Sequence, residues 1–106
     1  MKGANLGEFE ELTLLAVCAT KGEAYGVPVQ QFIEKATGRR VTMGAVYAAL
    51  DRLEDKRHVR SFMGEAVQMR GGKRKRLFEP TAEGLRMVKT LRQVRERIWR
   101  VIEARR

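Results

Sequence analysis

Thr42-Met43-Gly44-Ala45-Val46-Tyr47-Ala48-Ala49-Leu50-Asp51-Arg52-Leu53-Glu54 is the stretch that decides how this chain folds. Val46, Ala49, Leu50 and Leu53 fall on one side of a helix and form a buried stripe. Thr42 is a natural N-cap, its hydroxyl placed to accept a backbone N–H from the first turn. The opposite face carries Thr42, Met43, Gly44, Tyr47, Ala48, Asp51 and Arg52. From Val59 the period changes. Residues 59–63 and 74–78 read as two strands, and Gly71-Gly72 supply the turn between them. The second strand is led by the cationic run Lys73-Arg74-Lys75-Arg76. A helix sized for a DNA groove, followed by a basic hairpin, is the pattern of a winged helix-turn-helix.

Upstream, Glu8, Glu10 and Glu11 open a first helix, where carboxylates complement the helix dipole. Its apolar positions Phe9, Leu12, Leu15, Ala16 and Ala19 recur at three and four. Lys21-Gly22-Glu23 breaks it. Tyr25-Gly26-Val27-Pro28 starts a second helix, with the proline in the first turn. Val29, Phe32, Ile33 and Ala36 are its expected inner face, and Gly38 its C-terminal cap. Residues 39–41 read as a brief edge strand. Downstream, Pro80 ends the second wing strand, Thr81 caps the last helix and Glu83 favours its first turn.

That last helix, residues 82–104, is long for a chain of 106 residues. Met87, Leu91, Val94, Ile98 and Val101 are spaced four, three, four and three, a heptad seam of the kind that joins two helices. Leu85, Val88 and Ile102 widen it. Self-association through this helix is preferred over packing on its own domain. The expected architecture is therefore mostly α within an α+β class: a winged helix-turn-helix over residues 1–81 and a dimerisation helix over 82–106, in one compact domain.

The bulk numbers agree. A chain of this length makes one domain and often gains stability by oligomerising. The net charge is +9. Residues 1–36 carry three basic and five acidic side chains, whereas 37–106 carry nineteen basic and eight acidic. A basic surface confined to one part of the fold points to a polyanionic partner; a coat of solubilising lysines and arginines is the competing explanation. Cys18 is the single cysteine, so no intrachain disulfide can form, which suits a reducing cytosol. The acidic amino terminus and short apolar run predict neither a signal peptide nor a membrane partner. His58 is the sole histidine. With no carboxylate pair, phosphate-binding loop, metal-ligand cluster or activated nucleophile in the sequence, an enzyme, a cofactor or a metal site is not expected.

In order and spacing, these segments resemble the PadR-like transcriptional regulators over roughly residues 6–103. The marks are Leu12-Thr13-Leu14-Leu15, Tyr25-Gly26, the run from Gly44 to Glu54, Gly71-Gly72-Lys73-Arg74-Lys75-Arg76-Leu77-Phe78, and Thr81-Ala82-Glu83-Gly84. The single C-terminal helix places it with the short subgroup. Ala48 stands where a proline is common, Ala45 for a frequent threonine, Pro80 for an aliphatic residue and His58 for a glycine. The resemblance implies a bacterial or archaeal, cytoplasmic, nucleoid-associated homodimer that binds DNA, usually a repressor.

The candidate DNA contacts follow from where side chains meet a major groove. Thr42, Met43, Gly44 and Ala45 lie at the amino end of the recognition helix, with Tyr47 one turn on. The small residues permit close approach but offer few bidentate contacts. Specificity is then expected from Tyr47, Arg52, apolar contact with thymine methyls and DNA shape. Tyr47 also reads as a half-buried ring, and Tyr25 is similar. In the wing, Lys73 and Lys75 share one face and Arg74 and Arg76 the other, so one pair meets the backbone while the other is solvated. Arg39 and Arg40 add phosphate contacts. Met87, Leu91, Val94, Ile98 and Val101, with Leu12 and Leu15, form the expected dimer contact. Trp99 either packs on the partner near Leu12 and Leu15 or lines a pore for a flat hydrophobic effector, as the resemblance implies for some small relatives. Non-specific DNA or double-stranded RNA binding, and a protein-interaction adaptor, are the alternative functions.

Overall fold

The computed structural model describes residues 6–64 and 74–105. Three helices come first: α1 Glu8–Ala19, α2 Gly26–Thr37 and α3 Met43–Asp55. Strands β1 Val59–Met63 and β2 Arg76–Pro80 follow, and α4 Ala82–Ala104 closes the chain. The strands pair antiparallel, with Val59 opposite Pro80, Ser61 opposite Phe78 and Met63 opposite Arg76. Gly71, Gly72 and Lys73, expected at the hairpin turn, lie outside the described residues.

One core joins these elements. Leu14 and Val17 of α1, Val29 and Ile33 of α2, and Val46, Leu50 and Leu53 of α3 meet Val59 and Phe78 of the sheet. Each such side chain contributes about 1.5–3 kcal/mol on burial. The backbone N–H of Phe78 donates to the Ala24 carbonyl at 2.8 Å, which pins β2 to the α1–α2 connection.

The caps are where the residue types place them. Thr42 Oγ1 accepts from the Ala45 N–H at 3.0 Å, and Thr81 Oγ1 from the Gly84 N–H at 3.0 Å. Gly38 ends α2 in the left-handed conformation at φ 71°. The buried stripe of α3 is the one expected.

Other expectations are corrected. The apolar spacing of α1 does not define its buried face: Thr13, Leu14, Ala16 and Val17 are buried, whereas Leu15 and Ala19 are exposed. Residues 14–19 carry no charged side chain, so a three-and-four spacing fits more than one face; tertiary packing chooses. In α2, Phe32 and Ala36 face solvent, leaving Val29 and Ile33 inside. Residues 39–41 form no strand. Instead Gln30 Nε2 donates to the Val41 carbonyl and the Val41 N–H donates to Glu34, both at 2.9 Å, so α2 side chains replace a ladder. The second strand begins at Arg76 rather than residue 74 and includes Pro80.

The corner after α3 shapes the rest. Arg57 adopts φ 64°, left-handed without being glycine. The His58 N–H reaches the Leu53 carbonyl and the Arg57 N–H the Glu54 carbonyl, each at 2.9 Å, the paired bonds of a Schellman cap. The His58 carbonyl then accepts from the Thr81 N–H at 3.0 Å and sits so close to Gly84 that a Cβ there would overlap it. Thus α4 is seated on the corner by backbone contact. The His58 ring is buried at 4% exposure, and its Nδ1 has no hydrogen-bond partner.

Burial holds the His58 imidazole below its ordinary pKa of 6.5, with Lys56 acting in the same sense and Glu83 and Glu10 opposing. Protons therefore bind the unfolded chain more readily, and stability is full above pH 6.5 and falls as pH drops through the lowered value. For Glu10, burial alone would raise the carboxyl, but bonds from Lys56 and Arg52 bring it below 4.5. Glu54 is lowered chiefly by its bond from Ser61. Both carboxylates add a second loss below pH 4.5. Thermal melts across pH should show two descending steps, and His58→Gln should remove the upper one alone. An upper step that survives in that variant would contradict this assignment.

Candidate nucleic-acid interface

The amino end of α3 is largely open to solvent. Gly44, Tyr47, Ala48 and Asp51 line its outer face, with Met43 and Ala45 half-buried at the margin. Tyr47 is 38% exposed, yet its hydroxyl lies over Gly26 at the start of α2. A Cβ built on Gly26 would meet Tyr47 Cζ at 2.7 Å and Met43 Cε at 2.6 Å. Tyr47 is therefore both half-packed and outward-facing. Its partner is the glycine of the Tyr25-Gly26 pair.

The wing reaches the same place from the other side. Lys75 Nζ stands 4.6 Å from the centre of the Tyr25 ring, a cation–π contact. Tyr25, Met43, Tyr47 and Lys75 are thus gathered at one end of the molecule. Arg74 Nε donates to the Gly64 carbonyl at 2.7 Å. Arg76 turns toward α3, donating to Glu54 Oε1 at 2.6 Å, with Asp51 Oδ1 3.7 Å away. The Glu54 Oε2 atom accepts from the Ser61 hydroxyl at 2.6 Å and the Ser61 N–H at 3.1 Å. One carboxylate therefore ties α3 to both strands. Arg74 and Arg76 both bond within the protein while staying exposed to solvent. Lys73 lies outside the described residues.

Several expected cations have internal partners. Glu10, only 8% exposed, accepts from Arg52 Nε at 2.9 Å and from Lys56 Nζ at 2.7 Å. This clasps the carboxyl end of α3 to α1 and puts Arg52 at the opposite end of α3 from Thr42. Arg39 meets Glu8 at 3.2 Å across an exposed pair, worth about 0–1 kcal/mol. Arg40 is exposed, and among the described residues no carboxylate pairs with it. Glu10, Glu54 and Gly26 were missed as determinants of this surface. Their partners are far away in sequence, and spacing along the chain carries no trace of them.

Helix α4 carries the remaining expected residues. Val88 packs on the core, and Arg95 pairs with Glu11 of α1. Met87 and Leu91 are half-buried, and Leu12 likewise. Beyond them Val94, Ile98, Val101 and Ile102 lie exposed, Ile98 at 54% and Trp99 at 59%. Among the described residues, no group of histidine, cysteine or acidic side chains could hold a metal ion, and no helix is long and apolar enough to cross a membrane.

The sequence model of the transcriptional regulator PadR-like family matches residues 14–101, and the chain belongs to that family. Solved structures share the fold. A PadR family transcription regulator from Clostridium difficile is 21% identical, covering 92% of this chain and 97% of its own, with a TM-score of 0.72. A PadR-like transcription factor from Bacteroides fragilis is 18% identical, covering 92% and 89%, at 0.74. A mutant of Staphylococcus aureus MepR, bound to an oligodeoxyribonucleotide, is 20% identical, covering 93% of this chain and 64% of its own, at 0.62. No curated protein matches the chain.

Replacing Gly26 with alanine should drive its methyl group into Tyr47 and Met43. A loss of about 1–3 kcal/mol is expected, a melting temperature lower by several degrees, and a shifted Tyr47 ring resonance in the NMR spectrum. An unmoved ring and unchanged melt would show that α2 and α3 are not in this contact.

Proposed function

We propose that this member of the PadR-like family is a homodimeric regulator that binds a two-fold symmetric DNA site in the cytosol, most simply repressing by occupying a promoter. The observation that carries the dimer is the uncovered seam of α4. Val94, Ile98 and Val101 continue the heptad as exposed side chains on α4, and a run of exposed apolar side chains on a helix is best covered by a second copy. Two-fold pairing sets the reading heads about 34–36 Å apart, one turn of duplex.

Each head offers the end of α3 to the major groove through Thr42, Met43, Gly44, Ala45 and Tyr47. Tyr25 and Lys75 flank it, and Lys73, Arg74 and Arg76 belong to the wing. Arg39 and Arg40 approach phosphate from the connector. Arg52 keeps a half-exposed side chain and is the least favoured of these contacts, since Glu10 holds it. The small groove-facing residues leave sequence to be read by Tyr47, by thymine methyls and by duplex shape. Across the seam we place Trp99 against the partner's α1, near Leu12 and Leu15. Its exposure equally suits a flat hydrophobic effector, and quenching of Trp99 emission by planar dyes at micromolar concentration would favour that occupant.

The test is selection from a random duplex pool, followed by binding measured against salt. A discrete palindrome is expected. With 6–10 phosphates neutralised, affinity should drop roughly 10³–10⁵-fold between 50 and 200 mM salt. Ile98→Lys should give a monomer by sedimentation and abolish tight binding. Enrichment of no motif despite binding would indicate a non-specific nucleic-acid binder. No binding to any duplex would leave the adaptor.

A further inference from the structure

Asp51 stands where a DNA-reading helix should not carry a free carboxylate. Positions 44, 47, 48 and 51 share the outer face of α3, and the Asp51 side chain is 61% exposed. Next to phosphates an uncompensated anion there would oppose binding. Arg76, in the first residue of β2, lies between Asp51 and Glu54. Its guanidinium also covers the Phe78 ring at 4.9 Å, and its backbone is paired with Met63. A long side chain held at both carboxylates and over a ring is committed in direction, and less than half of it is exposed.

We propose that Arg76 is a positioning residue: it masks Asp51 and Glu54 on the reading helix and fixes the wing to α3, while the phosphate contacts of the wing fall to its neighbours such as Lys75. This rests on the DNA-binding function proposed above, and it gives the last residue of the basic run a different task from the others. Three consequences follow. The Arg76 charge is already balanced by the protein, so DNA gains no counterion release from it. Removing it exposes Asp51. It also frees one of the three bonds by which Glu54 joins α3 to the hairpin.

The experiment measures binding of a fluorescein-labelled duplex, taken from the selection, to the full chain over a series of salt concentrations. For Arg76→Gln we expect affinity reduced by roughly tenfold at low salt, a deficit that narrows as salt screens Asp51 from the phosphates. Asp51→Asn in that background should restore most of the loss, and Arg76→Lys should stay near the parent. Asp51→Asn alone, a change on an exposed face, should leave the slope as it is, because the guanidinium remains held by Glu54. Lys75→Gln should lower the slope by about 0.9 per lost phosphate contact. The proposal is overturned if Arg76→Gln lowers the slope by that amount without recovery from Asp51→Asn. It is equally overturned if Asp51→Asn alone steepens the slope, which would mean that Arg76 was released onto DNA. Absence of binding by the unaltered chain would instead defeat the DNA-binding function itself, a separate result.

Discussion

Everything after the recognition helix hangs on the turn at Arg57. A left-handed conformation costs a non-glycine residue about 1–2 kcal/mol, and here it is retained because the geometry it makes has many dependants. It sends the chain back across the end of α3, so that Val59 enters the core and His58 points its carbonyl at the start of α4. Thr81 then bonds the corner twice, through its N–H to His58 and its hydroxyl to the Arg57 carbonyl at 2.7 Å. Gly84 admits the close approach. Turn, strand pair and final helix are therefore one construction.

The basic charge of this chain is less available than its total implies. Arg39, Arg52, Lys56, Arg60, Arg76, Arg92 and Arg95 all meet carboxylates of the same chain. Two acids with more than one partner each, Glu10 and Glu54, tie α3 to its neighbours: one clasps it to α1, the other to the hairpin. Among the described cations outside these pairs, Arg40 and Lys75 lie nearest the amino end of α3, Lys75 over the Tyr25 ring. Such an arrangement separates the charges that build the surface from those that can use it.

Much of this was legible in the sequence, for local reasons. Thr42, Gly38 and Thr81 announce helix ends through chemistry acting within four residues, and α3 and α4 declare themselves by period. The inner face of α1 was not legible, because its carboxyl half is apolar on nearly every side and the choice belongs to packing. Phe32 misled for the opposite reason, a large apolar side chain at helical spacing that faces water. The resemblance to the family marks residue 58 as a usual glycine, yet the left-handed residue is Arg57 and His58 is buried beside it. Of the candidate site, the cluster of Tyr47 with Tyr25 and the wing could be anticipated in membership but not in geometry. Pairs such as Glu10 with Arg52 join residues 42 positions apart, and nothing in either neighbourhood signals the other.

Helix α4 has a further consequence. It touches its own domain at Gly84, Val88 and Arg95, and its exposed apolar side chains continue to Ile102. At about 1.5 Å per residue its 23 residues span about 35 Å. In the proposed dimer it is a stiff lever. A tilt of about 5° about one end would carry the other by about 3 Å, close to the rise of one base pair at about 3.4 Å. Anything wedged beside Trp99 would thus act on DNA through leverage, with no need to disturb a single base contact directly.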